Sequence, residues 1–409
     1  MPKEWEPNLQ RSDLEALLGE EVIEYKSSNL TSLGDNYGST MLAVSVTTQS
    51  GKELSLVAKM FPRSKMAQEH FQCPLSMRKE IDMYMLVSPV LDKIQEEHSV
   101  PLSERLQILC SCPGARLTLK GYNNEPLADY NSVLLLENLK SQGYRTGDRV
   151  AGLDLKHTEM VIKYLARFHA TTLAVKLQKP DVFSRTVLKA CEAFKIRWLT
   201  KEKDEVRVLT FVESLRIIPI CQQNIDILKE HARKYVEYSH NDTIETPKQP
   251  FATIVHNDLW TNNIMFKYSS EEESEPLDVK MLDFQVVRYG SPISDVIFFL
   301  STSTEKGIVS QYLDNILKLY HDSFTHWLTK LGCDPNILTL TEFQEEVNTV
   351  APSEVMHILL WLFPITLHKD QEYSMYSPPN QKRQLNKDFF EKVSELVTEF
   401  SKRNWLLNL

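Results

Sequence analysis

The sequence predicts an α+β protein, with a small antiparallel-sheet lobe first and a larger, mostly helical lobe after it. Strand-like alternation of apolar residues dominates before residue 140, and helical spacing takes over from Leu155 onward. The length of 409 residues, with 42% hydrophobic content, suffices for a large core. At roughly 150 residues per domain, we expect two or three lobes.

The first elements are a short helix and three strands. Leu14 to Leu30 begins with the spacing of an amphipathic helix and passes into a strand near Val22 to Tyr25. Met41 to Val46 and Leu54 to Met60 have the apolar content of further strands, and the turn Gln49 to Lys52 separates them.

One helix and one strand are clear between the third strand and residue 140. Residues Met77 to Leu86 have helical i, i+3, i+4 spacing, and Ser132 to Leu139 is an apolar strand that becomes polar at its end. Between them, Ser99 to Tyr130 contains three prolines. Its only strand-like pieces are Leu106–Leu109 and Arg116–Leu119, and we assign no chemistry to them.

The second lobe is predicted to consist mainly of helices. A polar, proline-containing loop at residues 239–250 precedes the stretch that carries the chemistry. The predicted helical regions are His157–Lys176, Pro180–Ile220, Gln222–Tyr238, Val309–Leu328, Leu340–Val350, Pro352–Leu367 and Asp388–Leu406.

Charge and hydropathy exclude several classes of function. The protein has 46 Lys and Arg against 55 Asp and Glu, a net charge of −9, with no dense basic run. We therefore expect no nucleic-acid partner. The most apolar window, Val355 to Leu367, is shorter than the ~20 residues of a membrane-spanning helix and contains Pro364. No membrane span is expected.

The cysteines and the N-terminus predict a cytoplasmic location. Met1 to Leu18 is acidic and polar, without the apolar segment of a signal peptide. The cysteines are scattered, with neither zinc-site spacing nor a secreted disulfide framework, and we expect reduced, buried thiols. They are Cys73, Cys110, Cys112, Cys191, Cys221 and Cys333.

The most informative stretch runs from Ile254 to Phe266 and continues through Val279 to Gln285. Asp258 follows a short apolar strand, and Asn263 comes five positions later, before a second one. A hairpin would then return Asp283 beside Asn263. One carboxylate could accept a hydroxyl proton, while an amide oxygen and a second carboxylate suit Mg²⁺. The plainer alternative is that all three residues only cap or terminate local elements.

These residues resemble a known family. His256-Asn257-Asp258 with Asn263 is similar to the His-x-Asp-x4-Asn catalytic loop of protein-kinase-like enzymes, and Asp283-Phe284-Gln285 is similar to their Asp-Phe-Gly metal motif. The residues around Trp260 and 262–266, together with Arg288 to Pro292, Asp295 and 298–300, resemble the ecdysteroid kinase-like group of the choline-kinase-like superfamily.

The resemblance implies a bilobal protein-kinase-like fold that binds ATP and Mg²⁺ in its cleft. Its N-lobe would span residues 1–136, its hinge 137–141 and its C-lobe 142–409. Asp258 would accept the hydroxyl proton, and Asn263 and Asp283 would bind Mg²⁺. Lys59 would hold the ATP phosphates, with Glu80 as its partner. Glu69 and Asp82 remain alternative partners, and a surface lysine on an edge strand is the plainer alternative for Lys59.

The remaining nucleotide contacts would come from the backbone. A turn containing Gly34 and Gly38 would let N–H groups approach phosphate oxygens, although an ordinary hairpin has the same pattern. Backbone groups near Glu137 and Leu139, at the hinge, would bind adenine. Within the same resemblance, Asp295 would brace the catalytic loop by accepting its N–H groups. His169, in contrast, is expected to be a core histidine.

Two departures from protein kinases favour a small-molecule hydroxyl acceptor. Asn257 stands where they have arginine, Gln285 stands where they have glycine, and no activation segment follows. We expect an ATP-dependent phosphotransferase for an ecdysteroid or related apolar alcohol. A choline- or ethanolamine-type kinase and a non-catalytic pseudokinase remain alternatives. Trp327, Trp361 and Phe363 are candidates to line the acceptor site, but aromatic residues at helical spacing belong to the core more often than to a pocket, and none is assigned to the site.

Overall fold

The computed structural model describes residues 9–30, 38–120, 127–192, 199–241, 247–270, 275–368 and 385–407. Its first half contains an antiparallel sheet, in which β1, β2, β3, β5 and β4 lie side by side in that order. These strands are Val22–Asn29 (β1), Thr40–Thr48 (β2), Glu53–Met60 (β3), Gly114–Arg116 (β4) and Val133–Glu137 (β5).

Two smaller sheets lie in the second half of the fold. One is a pair, β7 with β10, and the other has the order β6-β8-β9. Their strands are Tyr144–Thr146 (β6), Thr253–Val255 (β7), Ile264–Lys267 (β8), Asp278–Met281 (β9) and Arg288–Gly290 (β10).

Most of the helical residues follow residue 155, so the predicted α+β arrangement of a sheet lobe and a helical lobe is confirmed. The helices are Arg11–Leu18 (α1), Lys65–His70 (α2), Cys73–Asp82 (α3), Ser88–Glu97 (α4), Leu155–Gln178 (α5), Pro180–Val182 (α6), Leu188–Ala190 (α7), Lys201–Ser214 (α8), Pro219–Gln223 (α9), Ile225–His240 (α10), Ile293–Ser303 (α11), Ile308–Lys330 (α12), Leu340–Ile365 (α13) and Lys387–Lys402 (α14).

Strand β5 separates two apolar cores. Because successive strand residues face opposite sides of a sheet, Val133 and Leu135 enter a small cluster that includes Leu14 of α1. Leu134 and Leu136 enter the large cluster, which also contains residues of α3, α4 and the C-terminal helices. The two lobes therefore share one continuous core on that face of the sheet.

Helix α13 differs from the sequence-based expectation of two helices, Leu340–Val350 and Pro352–Leu367. The structure has one continuous helix with Pro352 inside it. Proline lacks an N–H and removes one helical hydrogen bond. Ala351 and Val355 beside it are fully buried, and their packing holds the helix together across the lost bond.

The expected strand at Leu106–Leu109 is also wrong. The N–H of Leu106 donates to the side chain of Gln95 on α4, and Ile108 C=O accepts the N–H of Met281 on β9. Residues 106–109 therefore join the two lobes through individual hydrogen bonds and do not form a strand.

Within the described ranges, none of the helices combines the length and the hydropathy that a transmembrane span requires.

Candidate active site

The loop that carries Asp258 is held in place by one buried carboxylate. Asp295, which is 1% exposed and lies in the first turn of α11, accepts two backbone N–H groups of this loop. The N–H of His256 donates to it at 2.6 Å and the N–H of Asn257 at 2.8 Å. The expected bracing contact is confirmed.

Asp295 is in turn held by the helical core. His169 Nε2 lies 3.2 Å from its carboxylate, and His169 Nδ1 lies 2.7 Å from the Tyr320 hydroxyl. Burial alone would raise the pKa of Asp295. His169, His256 and the Asn257 N–H outweigh burial and lower that pKa, which keeps the carboxylate ionised. His169 is a core histidine, as expected, because both ring nitrogens have partners and the residue is fully buried.

The hairpin of β8 and β9 brings Asn263 and Asp283 to the same end of the sheet. Ile264 pairs with Met281, and the N–H of Leu282 donates to Asn263 C=O at 2.8 Å. Asp283 comes directly after Leu282. The hairpin predicted from the sequence therefore places these two side chains at the end where Asp258 lies.

The side chain of Asn263 faces Asp258. Its Nδ2 donates to the backbone carbonyl oxygen of Asp258 at 2.9 Å and to Oδ2 of the same residue at 3.1 Å. Since a carbonyl only accepts hydrogen bonds, the amide nitrogen has to face Asp258. The amide oxygen therefore points the other way, where it can serve as a ligand.

Lys59 stands between two carboxylates. Its Nζ lies 2.6 Å from Glu80 Oε2 and 2.9 Å from Asp283 Oδ1. Burial alone would lower the pKa of Lys59, but the two carboxylates raise it and keep the ammonium group charged. The alternative partners are engaged elsewhere, Glu69 with Lys65 at 3.8 Å and Asp82 with Arg78 at 2.9 Å.

The carboxylate of Asp258 lies in a strongly desolvated position. Burial raises its pKa well above the usual value, and the negative charge of Asp283 raises it further. The amide of Asn263 and the indole N–H of Trp260 act in the opposite direction. Oδ1 of Asp258 makes no hydrogen bond of normal geometry with the described residues. A bound hydroxyl group would satisfy this buried oxygen.

The two glycines expected at the phosphates have different outcomes. Gly34 lies outside the described residues. Gly38 lies beside Gln285 and Phe71, because a Cβ added to it would be 3.4 Å from Gln285 Oε1 and 3.8 Å from the Phe71 ring. The start of β2 thus approaches the residues that follow Asp283.

Glu137 and Leu139, the two residues predicted to lie at a hinge, are found where β5 ends. The N–H of Glu137 donates to Ser111 C=O at 2.9 Å, so this donor is already used within the protein. Leu139 is buried and begins a 3₁₀ turn that ends at Gln142. The assignment of both residues to adenine binding stays a prediction.

The donor set at this end of the hairpin fits Mg²⁺. Asn263 offers its amide oxygen, and Asp283 has a second carboxylate oxygen besides the one at Lys59. Mg²⁺ prefers such hard oxygen donors and takes its other ligands from water and phosphate. Among the described residues, no group of three or more His, Cys, Asp or Glu side chains forms a self-sufficient metal site.

Arg288, which has no individual role predicted from the sequence, lies beside the loop that carries Asp258. Its Nε donates to Asn257 Oδ1 at 2.6 Å, and its Nη2 lies 3.9 Å from Glu354 Oε1 on α13. A Cβ on Gly290 would lie 2.6 Å from Arg288 Nη1, so this glycine makes room for the guanidinium. The only sequence signal was the family resemblance of residues 288–292.

The three aromatic candidates for the acceptor site separate clearly. Phe363 is buried in the core. Trp327 lies over the Arg167 guanidinium, 3.9 Å from ring centroid to Cζ. Only Trp361 reaches the catalytic loop, with its ring centroid 6.4 Å from that of Trp260.

Comparison with known protein families gives one match. The sequence profile of the ecdysteroid kinase-like family matches residues 33–333, well over half of the protein. Comparison with curated proteins gives no match. Similar solved structures include a mutant of aminoglycoside 2′-phosphotransferase IIIa in complex with GDP, at 12% identity, a TM-score of 0.39 and 95% coverage of both chains. Another is a microcompartment-associated aminopropanol kinase, at 12% identity, a TM-score of 0.43 and 94% coverage of both chains.

Proposed function

The chain belongs to the ecdysteroid kinase-like family, and from this premise we propose that it is a small-molecule kinase that transfers a phosphoryl group from ATP to a hydroxyl group. The observation that carries the proposal is the meeting of four side chains, three from residues 258–283 and one from the sheet lobe. Asp258 and Asp283 lie together with Asn263 and with Lys59, which comes from the sheet lobe. Positioning and charge neutralisation are the main sources of catalysis in phosphoryl transfer.

Each residue has one role in this proposal. Asp258 orients the attacking hydroxyl and accepts its proton, Lys59 binds phosphate oxygens, and Glu80 keeps the ammonium group in place. Asn263 and Asp283 would hold Mg²⁺, which neutralises phosphate charge when it is bound. Burial of Lys59 and Glu80, at 3% and 1% exposure, strengthens these electrostatic interactions.

A small acceptor fits the short connection after the metal motif. Residues 284–292 separate Asp283 from α11, and within them β10 pairs with β7 directly beneath the catalytic loop. This leaves no room for the long segment on which protein kinases bind peptides. The family points to an ecdysteroid or related apolar alcohol as the acceptor. Against a pseudokinase stand the intact Lys59, Asp258 and Asp283.

Mg²⁺-dependent ATP consumption tests the proposal. The acceptor panel contains an ecdysteroid, an unmodified sterol, choline and ethanolamine, and the proteins are wild type, Asp258→Asn and Asp283→Asn. We expect turnover on an uncharged alcohol that falls about a hundredfold or more in Asp258→Asn, the usual value of a general base. Asp322→Asn, on the exposed face of α12, is the matched control and should retain full activity. Undiminished turnover in Asp258→Asn would rule out the assigned base.

A further inference from the structure

A ring of contacts between side chains begins and ends on the catalytic loop, on either side of Asp258. From Asn257 it passes to Arg288 at 2.6 Å and then to Glu354 at 3.9 Å. From Glu354 it continues to His357, whose Nδ1 lies 2.8 Å from Glu354 Oε2. The ring closes through the aromatic rings of Trp361 and Trp260.

Helix α13 supplies the far side of this ring. Glu354, His357 and Trp361 follow one another at intervals of three and four residues, which places them on one face of the helix. That face lies over α11, where His357 stacks on Phe298 with ring centroids 4.5 Å apart. A rigid helix packed on the core therefore holds all three side chains toward the catalytic loop.

The ring lies apart from the groups assigned to ATP and Mg²⁺. The polar contacts of the ring reach the loop at Asn257. Lys59 instead contacts Glu80 and Asp283, and Asn263 donates to Asp258. Asp258 lies between Asn257 and Trp260, the two residues at which the ring meets the loop, and it is also the residue to which Asn263 is hydrogen-bonded. A hydroxyl group directed at Asp258 would therefore lie next to the ring.

Charge pairing inside the ring makes it unsuited to a cation. Glu354 is buried at 8% exposure, and Arg288 and His357 already stand at its two oxygens. An ammonium ion would need an unpaired carboxylate next to the aromatic rings. The ring offers no such carboxylate among the described residues.

The hydrogen bond to Glu354 fixes the tautomer of His357. A carboxylate can only accept, so Nδ1 carries a proton, and in the neutral form of the ring Nε2 is an acceptor. Nε2 has no hydrogen-bond partner among the described residues, and the side chain is 22% exposed. It can therefore accept a hydrogen bond from a hydroxyl group of a bound molecule.

We infer that His357 is a specificity-determining residue of the acceptor site, positioned by Glu354, and that Trp260 and Trp361 form the aromatic wall beside it. The inference rests on the proposed function, since it places the acceptor next to Asp258. The ligand chemistry is an uncharged ring alcohol with two hydroxyl groups. One hydroxyl group is directed at Asp258 and the other donates to His357 Nε2, while the cyclic skeleton of the alcohol packs on the indoles of Trp260 and Trp361.

Equilibrium binding tests the inference separately from catalysis. Ecdysone and choline are titrated by calorimetry into wild type, His357→Phe, Trp361→Ala and Asp258→Asn. His357→Phe keeps a ring on Phe298 but removes the acceptor nitrogen. The matched control is His157→Phe on α5. His157 resembles His357 in that its Nδ1 lies 2.8 Å from a carboxylate three residues earlier in the sequence, that of Asp154. ATP affinity is measured for every protein.

We expect wild type to bind ecdysone more tightly than choline and His357→Phe to lose about tenfold in ecdysone affinity, the value of one hydrogen bond of about 1.4 kcal/mol. Trp361→Ala should lose a similar factor, while His157→Phe and all ATP affinities stay within about twofold of wild type.

The inference is overturned by equal ecdysone binding by wild type and His357→Phe, by a parallel loss of ATP affinity in that variant, or by no ecdysone binding by wild type. Tighter binding of choline than of ecdysone also overturns it. Ecdysone binding that depends on His357, but without turnover in wild type, supports the inference while the proposed kinase function fails.

Discussion

Replacing Lys79 by methionine tests the electrostatics of the helix that carries Glu80. Lys79 is 1% exposed, and its Nζ donates to Glu192 C=O at 2.7 Å, which ties α3 to the helical lobe. Burial is the main cause that lowers the pKa of this lysine from 10.5 to about 8, and nearby Arg288 acts in the same direction. Cys191 and Glu192 oppose the shift.

The lowered pKa has a calculable effect on stability. Below pH 8 both the folded and the unfolded protein carry the Lys79 proton, so its burial penalty is constant. Between pH 8 and 10.5 the folded protein has lost the proton while the unfolded protein retains it, so the free energy of unfolding rises with pH. At about 1.4 kcal/mol per pKa unit, Lys79 contributes a total rise of about 3 kcal/mol.

Urea unfolding at pH 7 and at pH 10.5 measures this rise. The free energy of unfolding of wild type, minus that of Lys79→Met, should increase by about 3 kcal/mol between the two pH values. Lys163 is an exposed lysine on α5. The free energy of unfolding of wild type minus that of Lys163→Met should therefore change little between the two pH values. If wild type and Lys79→Met instead give parallel pH curves, Lys79 does not titrate in this window and the electrostatic reasoning is refuted.

Three further predictions concern the site and the fold. Asp295→Asn should lower the free energy of unfolding by about 2–4 kcal/mol in urea titrations, because the amide cannot accept from both loop N–H groups; unchanged stability would contradict the bracing role. Lys59→Met should weaken ATP binding in calorimetry, since two carboxylates then face the phosphates; equal affinity would remove Lys59 from the site. Gly114→Ala should cost about 1–3 kcal/mol in thermal unfolding, because its Cβ would lie 2.2 Å from Leu17 C=O, and a neutral result would contradict that close approach.

The local part of the site could be predicted from the sequence because a hairpin fixes it. Asn263 and Asp283 flank two short apolar runs, and antiparallel pairing of such runs brings their ends together whatever surrounds them. Lys59 was recognisable as a lysine within an apolar strand. Its partner was harder to predict, because helical spacing alone does not distinguish Glu80 from Asp82.

The contact ring could not be predicted, because tertiary packing creates it. Arg288 and Glu354 are far apart in sequence, and they meet only because α13 packs on α11. The continuity of α13 across Pro352 has the same origin, since a local rule predicts a break where buried neighbours compensate for it. Local sequence patterns do not indicate which distant residues will pack together.

Backbone conformation explains the asparagine at position 257. Asn257 has φ +65° and Asp283 has φ +64°, a left-handed conformation that Asn and Asp tolerate better than most residues. Such strain persists only where surrounding bonds enforce it. Asn257 is held at its N–H by Asp295 and at its side chain by Arg288. The guanidinium group beside the loop therefore comes from Arg288, which follows Asp283, whereas protein kinases have their arginine at the position of Asn257. An arginine at position 257 would place a second guanidinium group next to that of Arg288. The short, uncharged amide of Asn257 instead accepts a hydrogen bond from Arg288.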